Sequence, residues 1–221
     1  MIVFVIAMAS EAQCVLANME NVKERVACGK KVYEGTLCGQ ETAVIVTNVG
    51  KVNAACGAQY AVDILGADAI INIGVAGALK ADMAVGEIYG ISGAVQYDYD
   101  LAQLNGTGIG VLNEFTEAYL PLNTLPLYPL KKLGTGDRFN DSREDFLTLT
   151  QTLGADIRDM EGGAIAQVCA HAGVKYYSFK GISDVAGSGS TTEQYLANLK
   201  SCLEKLTGEI KKIFTGVENY L

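Results

Sequence analysis

The chain has 221 residues, of which 49% are hydrophobic and 19% charged, and it contains only 3 prolines and no tryptophan. A chain of this length and apolar content can bury a large core, which excludes a disordered or low-complexity protein. Its 25 acidic and 17 basic residues give a net charge of −8, which argues against a protein that follows nucleic-acid phosphates.

The numbers of histidines and cysteines limit the kinds of catalytic and metal sites that the chain can form. With His171 as the single histidine, a Ser-His-Asp triad and a histidine-based zinc site are nearly excluded. The six cysteines form no C-x-x-C pair, and scattered thiols of this kind indicate a reducing compartment. The apolar start, Ile2 to Met8, is too short to span a membrane and lacks the features of a signal peptide. We therefore expect a cytoplasmic protein.

Strand-like runs alternate with helices in the first part of the chain. Ile2–Ala7 is continuous, apolar and β-branched, the pattern of a strand buried on both faces. Ser10 and Glu11 follow this run and can begin a helix that extends to about Met19. A second helix is predicted to begin near Gly50. Further strands are predicted at residues 31–37, 42–47, 68–73 and 87–95.

The second part of the chain starts irregularly and ends in regular elements. Residues 97–129 hold all three prolines and are predicted to form a surface loop that faces a partner. Strands are then predicted at 157–160 and 175–182, and helices at 143–153, 162–172 and 193–214. Strands that alternate with helices, without repeats or a linker, predict a single α/β domain over residues 1–221, layered around a largely buried sheet.

Three acidic residues follow predicted strands. Glu11 comes after the first strand, Glu161 lies at the start of the helix at 162–172, and Asp184 follows the last strand. Ligands of open α/β sheets bind beyond the carboxyl ends of the strands, so the three carboxylates are candidates for one site. Taken singly, Glu11 and Glu161 are better explained as ordinary helix-start acids.

Six short motifs occur in an order that resembles a known family. They are Ala7-Met8 with Glu11, Gly50-Lys51-Val52-Asn53-Ala54-Ala55, Gly74-Val75-Ala76-Gly77, Gly136-Asp137-Arg138-Phe139, Asp159-Met160-Glu161 and Ile182-Ser183-Asp184-Val185-Ala186. Over roughly residues 1–215, this series resembles the 5′-methylthioadenosine/S-adenosylhomocysteine nucleosidases of the nucleoside phosphorylase superfamily. The resemblance implies a three-layer αβα nucleoside phosphorylase-like fold with a central mixed β-sheet. It also implies hydrolysis of the N-glycosidic bond of 5′-thio-substituted adenosines, without a metal or an organic cofactor.

The resemblance implies a role for each matched residue. Asp184 would protonate the purine at N7 as the general acid, and Glu11 would activate the attacking water. An aspartate at this position can also accept from an exocyclic amine, which favours 6-amino over 6-oxo purines. Glu161 would accept hydrogen bonds from the ribose hydroxyls. The other implied contacts are Met160 on the sugar, Phe139 and the backbone of Asn140 on the purine, and Ser183, which would orient Asp184.

Three departures from the family pattern accompany these matches. Val75 occupies a substrate-binding position where relatives often carry a small hydroxyl residue, so its side chain cannot hydrogen-bond to water. Lys180 stands where an arginine is common and keeps the charge without the planar fork. Gly162-Gly163 replaces an alanine pair and makes that helix start more flexible. These departures leave substrate preference open, including the group at the 5′ position.

Other functions remain open from the sequence. A phosphorylase of the same superfamily would need a group of cations to bind phosphate. The acidic turn at Glu11 argues against a phosphorylase, whereas Lys51 and Lys180 keep this alternative open. A nucleosidase for a different 6-substituted purine is a second alternative. A non-catalytic adenosine-binding protein of the same fold would be expected to lack one of the three carboxylates. The resemblance also implies a homodimer in which residues 97–112 of a neighbouring subunit wall the 5′ pocket.

Overall fold

The strands form one mixed ten-stranded sheet, described by a computed structural model of residues 1–221. The strands are β1 (Ile2–Ile6), β2 (Glu20–Ala27), β3 (Lys30–Leu37), β4 (Gln40–Val46), β5 (Ala69–Ala78), β6 (Ile88–Gln96), β7 (Leu120–Pro121), β8 (Leu130–Thr135), β9 (Ile157–Asp159) and β10 (Lys175–Val185). The helices are α1 (Ala9–Leu16), α2 (Lys51–Asp63), α3 (Ala102–Asn105), α4 (Arg143–Leu147), α5 (Gly162–Ala172) and α6 (Thr191–Glu218), with a π-helical turn at Thr148–Thr152.

Parallel pairing brings three strand ends to the same edge of the sheet. β1 pairs in parallel with both β4 and β5, and β10 runs parallel to β5 from Lys175, opposite Ala69, to Val185, opposite Ala78. β6, β8 and β9 continue from β10, and β9 pairs back onto β5, so these five strands close into a ring. The carboxyl ends of β1, β5 and β10 therefore lie side by side, which positions the site described below.

Helices cover both faces of the sheet. The core on one face contains the small side chains of α2, namely Ala54, Ala58 and Ala61, together with Ile165 of α5. The core on the other face contains Val15 of α1 and the apolar stripe of α6. Each helix buries one apolar stripe against the sheet, as expected for layered packing. The predicted three-layer architecture around a central mixed sheet is confirmed.

Elements with a clear periodicity or end signal form where the sequence predicts them. The helix predicted at residues 162–172 is α5, with His171 in its last turn. Gly173 ends it in the left-handed conformation, at φ 67°, which favours glycine. β1 likewise occupies the predicted β-branched run. In these segments the local sequence pattern and the tertiary structure agree.

Several predicted boundaries are wrong. β5 continues to Ala78 instead of ending at residue 73, and β10 continues to Val185 instead of ending at residue 182, because the two strands pair with each other along their whole length. The helix predicted at 143–153 is the short helix α4 followed by the π-helical turn. The sequence pattern does not predict the strands β2, β7 and β8. β2 is mostly exposed and has no apolar alternation that could identify it.

The stretch at residues 97–129 is mostly irregular, as predicted, but it is not only surface. Its leucines at 112, 120, 122 and 125 are buried, and the first three belong to the core on the α2 side of the sheet. Apolar side chains of an irregular segment can pack into a core although no periodic sequence pattern predicts their burial.

The cysteines are all unpaired: Cys14, Cys169 and Cys202 are buried, and Cys28, Cys38 and Cys56 are exposed. None of the helices combines the length and the apolar content needed to cross a membrane.

Two helix glycines give a matched test of the packing. A Cβ on Gly57 of α2 would overlap the Cγ2 methyl of Thr47, whereas a Cβ on Gly208 of α6 would have no heavy atom within 4 Å. Thr47 cannot rotate away freely, because its hydroxyl donates to the Asn48 carbonyl oxygen at 2.9 Å. We expect Gly208→Ala to raise the free energy of unfolding by about 1 kcal/mol, through helix propensity. Gly57→Ala should lower it by on the order of 1–2 kcal/mol, through overpacking.

The measurement is urea unfolding of the two variants beside the parent protein, followed by circular dichroism. Equal stabilisation by both substitutions would show that α2 does not pack against Thr47 as described.

Candidate functional site

A cavity of about 390 Å³ opens at the edge of the sheet where β1, β5 and β10 end. It is lined by residues from widely separated parts of the chain: Ala7, Met8, Glu11, Val49, Val75, Ala76, Gly77, Tyr97, Arg138, Phe139, Arg158, Asp159, Met160, Glu161, Ser183, Asp184, Thr191 and Tyr195. The three carboxylates that the sequence singles out, Glu11, Glu161 and Asp184, therefore lie around the same cavity, although they are far apart in the chain.

Glu11 lies at the end of the cavity next to β1 and β5. It is the third residue of α1, and its Oε2 accepts from the backbone N–H of Met8 at 3.1 Å. Its Oε1 accepts from the backbone N–H of Val75 at 2.9 Å. The residue at position 75 thus orients Glu11 through its backbone, which needs no side-chain hydroxyl. Burial raises the pKa of Glu11, although the charge of Lys180 opposes this shift.

Glu161 immediately precedes α5, but its side chain reaches a different helix. Its Oε1 accepts from the backbone N–H of Gly50, at the start of α2, at 2.9 Å. Gly50 adopts φ 104°, a conformation that strongly favours glycine, so this turn depends on the residue type. Burial and the nearby carboxylate of Asp159 raise the pKa of Glu161 to about 7.

Asp184 lies at the far end of the cavity, near the end of β10. It is only 2% exposed; the Ser183 hydroxyl donates to its Oδ1 at 2.7 Å, while its Oδ2 is buried without a hydrogen-bond partner. Burial raises the pKa of Asp184, opposed by the Ser183 hydrogen bond and the charge of Arg158. An orphaned buried carboxylate oxygen that faces a cavity is suited to contact a ligand or to transfer a proton.

A β-bulge near the end of β10 redirects Ser183 and Asp184. The register between β10 and β5 shifts between Ile182 and Asp184, so Ser183 is the extra residue. Bulges bend a strand and redirect its side chains, and they are common beside active sites. This bulge allows the adjacent residues Ser183 and Asp184 both to line the cavity.

Two glycines of β5 make room for two of the carboxylates. A Cβ on Gly74 would overlap Glu11, and a Cβ on Gly77 would lie 2.6 Å from Asp184 Oδ2. Any larger residue at either position would displace the carboxylate. The segment Gly74-Val75-Ala76-Gly77 is therefore a strand that admits side chains from its neighbours, and its glycines do not form a loop.

A buried ion pair lies beneath the cavity. Lys180 is 2% exposed, and its Nζ lies 2.9 Å from Asp159 Oδ2. Asp159 also accepts from the Thr135 hydroxyl at 2.5 Å and from the backbone N–H of Gly162 at 2.9 Å. Burial lowers the pKa of Lys180, but the carboxylates of Asp159 and Glu161 outweigh it and leave that pKa raised. Lys180 therefore stays charged and offsets the negative charge of Glu11 and Glu161.

The remaining predicted contacts are divided between the cavity and its margin. Phe139 lines the cavity, is 53% exposed and packs edge-on against Tyr195, at 5.6 Å between ring centroids. Met160 and Val75 also line it. Asn140 does not: its carbonyl oxygen accepts from Arg158 at 2.7 Å and its side-chain amide donates to Asp145 at 2.9 Å.

Three cations at or near the cavity are paired with carboxylates. Lys51 Nζ lies 2.6 Å from Asp98 Oδ1, Lys180 is paired with Asp159, and Arg138 Nη1 lies 2.8 Å from Asp145 Oδ1. Because these charges are neutralised, they do not form a cradle for a phosphate ion. No group of three or more histidine, cysteine, aspartate or glutamate side chains is arranged to hold a metal ion.

Sequence reasoning missed several residues that line the cavity, above all Arg158, Tyr97, Thr191 and Tyr195. Arg158 directly precedes the motif Asp159-Met160-Glu161, and that position was the available signal. Tyr195 and Thr191 lie on α6, whose amphipathic pattern predicted a helix but not which end of it would reach the cavity.

Comparisons with protein families and with individual proteins of known function identify the same superfamily. A family model described as the phosphorylase superfamily matches residues 1–217. A 5′-methylthioadenosine/S-adenosylhomocysteine nucleosidase from Halalkalibacterium halodurans is 30% identical over 195 residues, which cover 82% of this chain and 84% of the relative.

Solved structures show the same fold. The nucleosidase of that name from Helicobacter pylori, in a crystal structure with butyl-thio-DADMe-Immucillin-A, has a TM-score of 0.88 at 21% identity and covers 97% of each chain. A structure of futalosine hydrolase from Helicobacter pylori also has a TM-score of 0.88 at 21% identity, over 100% of this chain and 97% of the other.

Proposed function

This chain belongs to the phosphorylase superfamily and, within it, to the family of 5′-methylthioadenosine/S-adenosylhomocysteine nucleosidases; on that premise we propose that it hydrolyses 5′-thio-substituted adenosines. The products are adenine and a 5-thioribose. The observation that carries the proposal is the arrangement of three buried carboxylates, Glu11, Glu161 and Asp184, around one cavity.

Asp184 is the general acid. The N-glycosidic bond breaks through an oxocarbenium-like state, and the purine leaves more readily when it takes up a proton at N7. The raised pKa of Asp184 and its unpartnered Oδ2 support this role, since a protonated carboxyl that faces the cavity has a proton to donate. Ser183 holds the other oxygen and so orients the group.

Glu11 receives a proton from the attacking water, whose oxygen then bonds to C1′ of the ribose. Two backbone N–H groups, from Met8 and Val75, hold the Glu11 carboxylate in one orientation. Its negative charge also stabilises the positive charge that develops on the sugar.

Glu161 binds the ribose hydroxyls, with Met160 packed on the sugar and Phe139 stacked on the purine. The bond from Gly50 occupies Oε1 of Glu161, which leaves Oε2 to accept from a hydroxyl. The half-exposed ring of Phe139 supports a stacking role, because the ring is not buried in the core and its surface is free to contact a purine. Asn140 does not line the cavity, so its proposed role at the purine edge is limited to its backbone N–H, because its carbonyl oxygen already accepts from Arg158.

We also propose a homodimer and a cytoplasmic location. Leu104 of α3 is 80% exposed and Val52 of α2 is 74% exposed, and covering such side chains with a second subunit would remove apolar surface from water. The unpaired state of all six cysteines supports a reducing compartment.

The decisive experiment measures release of free adenine from 5′-methylthioadenosine with and without phosphate. Hydrolysis predicts equal rates in both buffers and free methylthioribose as the second product. Release that requires phosphate and yields a sugar 1-phosphate would identify a phosphorylase and overturn the role of Glu11. No release in either buffer would indicate either that the substrate is another purine nucleoside or that the protein only binds its ligand.

A further inference from the structure

A cation lies beside the proposed general acid and has no part in the mechanism above. Arg158 Nη2 lies 4.0 Å from Asp184 Oδ2, which is too far for a hydrogen bond. The Arg158 side chain is 14% exposed and lines the same cavity. The two groups are therefore neighbours that both face the cavity and do not satisfy each other.

The guanidinium is held in place by other partners. Its Nη1 donates to the Asn140 carbonyl oxygen at 2.7 Å, and its Nη2 donates to the Thr191 hydroxyl at 2.9 Å. An arginine has five N–H donors in a rigid plane, so further donors remain for a ligand.

Gly77 of β5 leaves room for both groups because it has no side chain. A Cβ on Gly77 would lie 3.2 Å from Arg158 Nε and 2.6 Å from Asp184 Oδ2. The arginine donors and the free carboxylate oxygen thus lie together over one glycine, at the end of the cavity assigned to the purine.

Arg158 is not explained by the need to keep Asp184 protonated. Burial raises the pKa of Asp184, and the positive charge of Arg158 acts against that shift. A cation in this position lowers the fraction of Asp184 that carries a proton, so Arg158 is a candidate for a different role at the leaving group.

The chemistry of purines indicates that role. Every purine presents N7 as an acceptor, but a 6-oxopurine adds an acceptor at O6, whereas a 6-aminopurine adds a donor at N6. Arginine pairs with O6 and N7, while recognition of the 6-amino group needs an acceptor. A protonated Asp184 beside Arg158 offers two adjacent donors, which match the N7 and O6 of a 6-oxopurine.

We propose that the site also hydrolyses 5′-thio-substituted inosines, with Arg158 donating a hydrogen bond to O6 of the leaving 6-oxopurine. This inference rests on the proposed function and widens its substrate class. The bond between C1′ and N9 breaks, N7 takes the proton of Asp184, the water oxygen bonds to C1′, and Glu11 takes the water proton. The products are hypoxanthine and a 5-thioribose, and both carboxyls exchange protons with solvent to return to their starting states.

The test compares kcat/KM for 5′-methylthioinosine and 5′-methylthioadenosine in the parent protein and in Arg158→Met. The parent should cleave both nucleosides. Arg158→Met should lower kcat/KM for methylthioinosine at least about tenfold more than for methylthioadenosine, as expected for the loss of a charge-assisted hydrogen bond. Arg158→Lys should retain part of the difference, because it keeps the charge without the fork.

Arg138→Met is the matched control, since Arg138 also lines the cavity but is bound to Asp145. It should leave the ratio of the two kcat/KM values unchanged. Because the ratio is measured on one sample, a partly unfolded variant does not alter it.

The outcomes separate the two claims. Cleavage of neither nucleoside by the parent would overturn the proposed function itself. Cleavage of methylthioadenosine alone would overturn the present inference and leave the proposed function standing. An equal loss of both activities in Arg158→Met would assign Arg158 a structural role through Asn140 and Thr191.

Discussion

Asp184→Asn is expected to lower kcat for 5′-methylthioadenosine by at least about a hundredfold, the usual scale for loss of a general acid. Asparagine has nearly the same shape and can still accept from Ser183, but it has no acidic proton to give to N7. Nucleoside binding should therefore change little. Adenine release gives kcat, and calorimetric titration during the slow turnover gives Kd.

The control is Ser183→Ala, which removes the hydrogen bond to Oδ1 and leaves the acid in place. Its loss of kcat should be clearly smaller than that of Asp184→Asn. The parent enzyme should also lose activity as pH rises through the raised pKa of Asp184, because only the protonated form is an acid. Retention of more than about a tenth of kcat in Asp184→Asn would remove Asp184 as the acid.

Glu11→Gln is expected to bind nucleoside and fail to hydrolyse it, with kcat reduced by at least about a hundredfold. The glutamine oxygen can still accept from the backbone N–H of Val75, but the amide nitrogen cannot accept from the backbone N–H of Met8, so the side chain keeps only one of its two hydrogen bonds. It can neither take a proton from water nor offer a negative charge to the oxocarbenium ion. A single-turnover experiment, with enzyme in excess over labelled methylthioadenosine, measures the chemical step directly.

Glu161→Gln is the matched control, because it neutralises another buried carboxylate at the same cavity. Its main effect should be a higher KM, since Glu161 is assigned to the ribose hydroxyls. Unfolding by urea should show both glutamine variants folded. If Glu11→Gln hydrolysed methylthioadenosine at the parent rate, a group other than Glu11 would activate the attacking water.

The charge arrangement explains why these variants should remain folded. Glu11, Asp159 and Glu161 lie around the single buried Lys180, so the cluster holds more negative than positive charge. Burial first, and then the carboxylate of Asp159, raise the pKa of Glu161 to about 7. Neutralising one glutamate removes a buried charge without leaving Lys180 unpaired, whereas replacing Lys180 would leave several carboxylates uncompensated.

Much of the candidate site could be predicted because its residues lie in short motifs at strand ends. Glu11, Glu161 and Asp184 were all selected from their positions in the chain, and all three line the cavity. Their partners were not predictable in the same way. The Val75 backbone bond to Glu11 and the Gly50 bond to Glu161 join residues 64 and 111 positions apart.

The sequence by itself determined the alternation of strands and helices, the central strand β1, the limits of α5 and the identity of the three carboxylates. Each of these depends on neighbouring residues: β-branched runs, helix-end glycines and acids beside turns. Only the tertiary structure decided the full length of β5 and β10, the bulge at Ser183, the pairing of Lys180 with Asp159, and the approach of Arg158 to Asp184. These features depend on pairing between distant segments, and local periodicity carries no information about which segments meet.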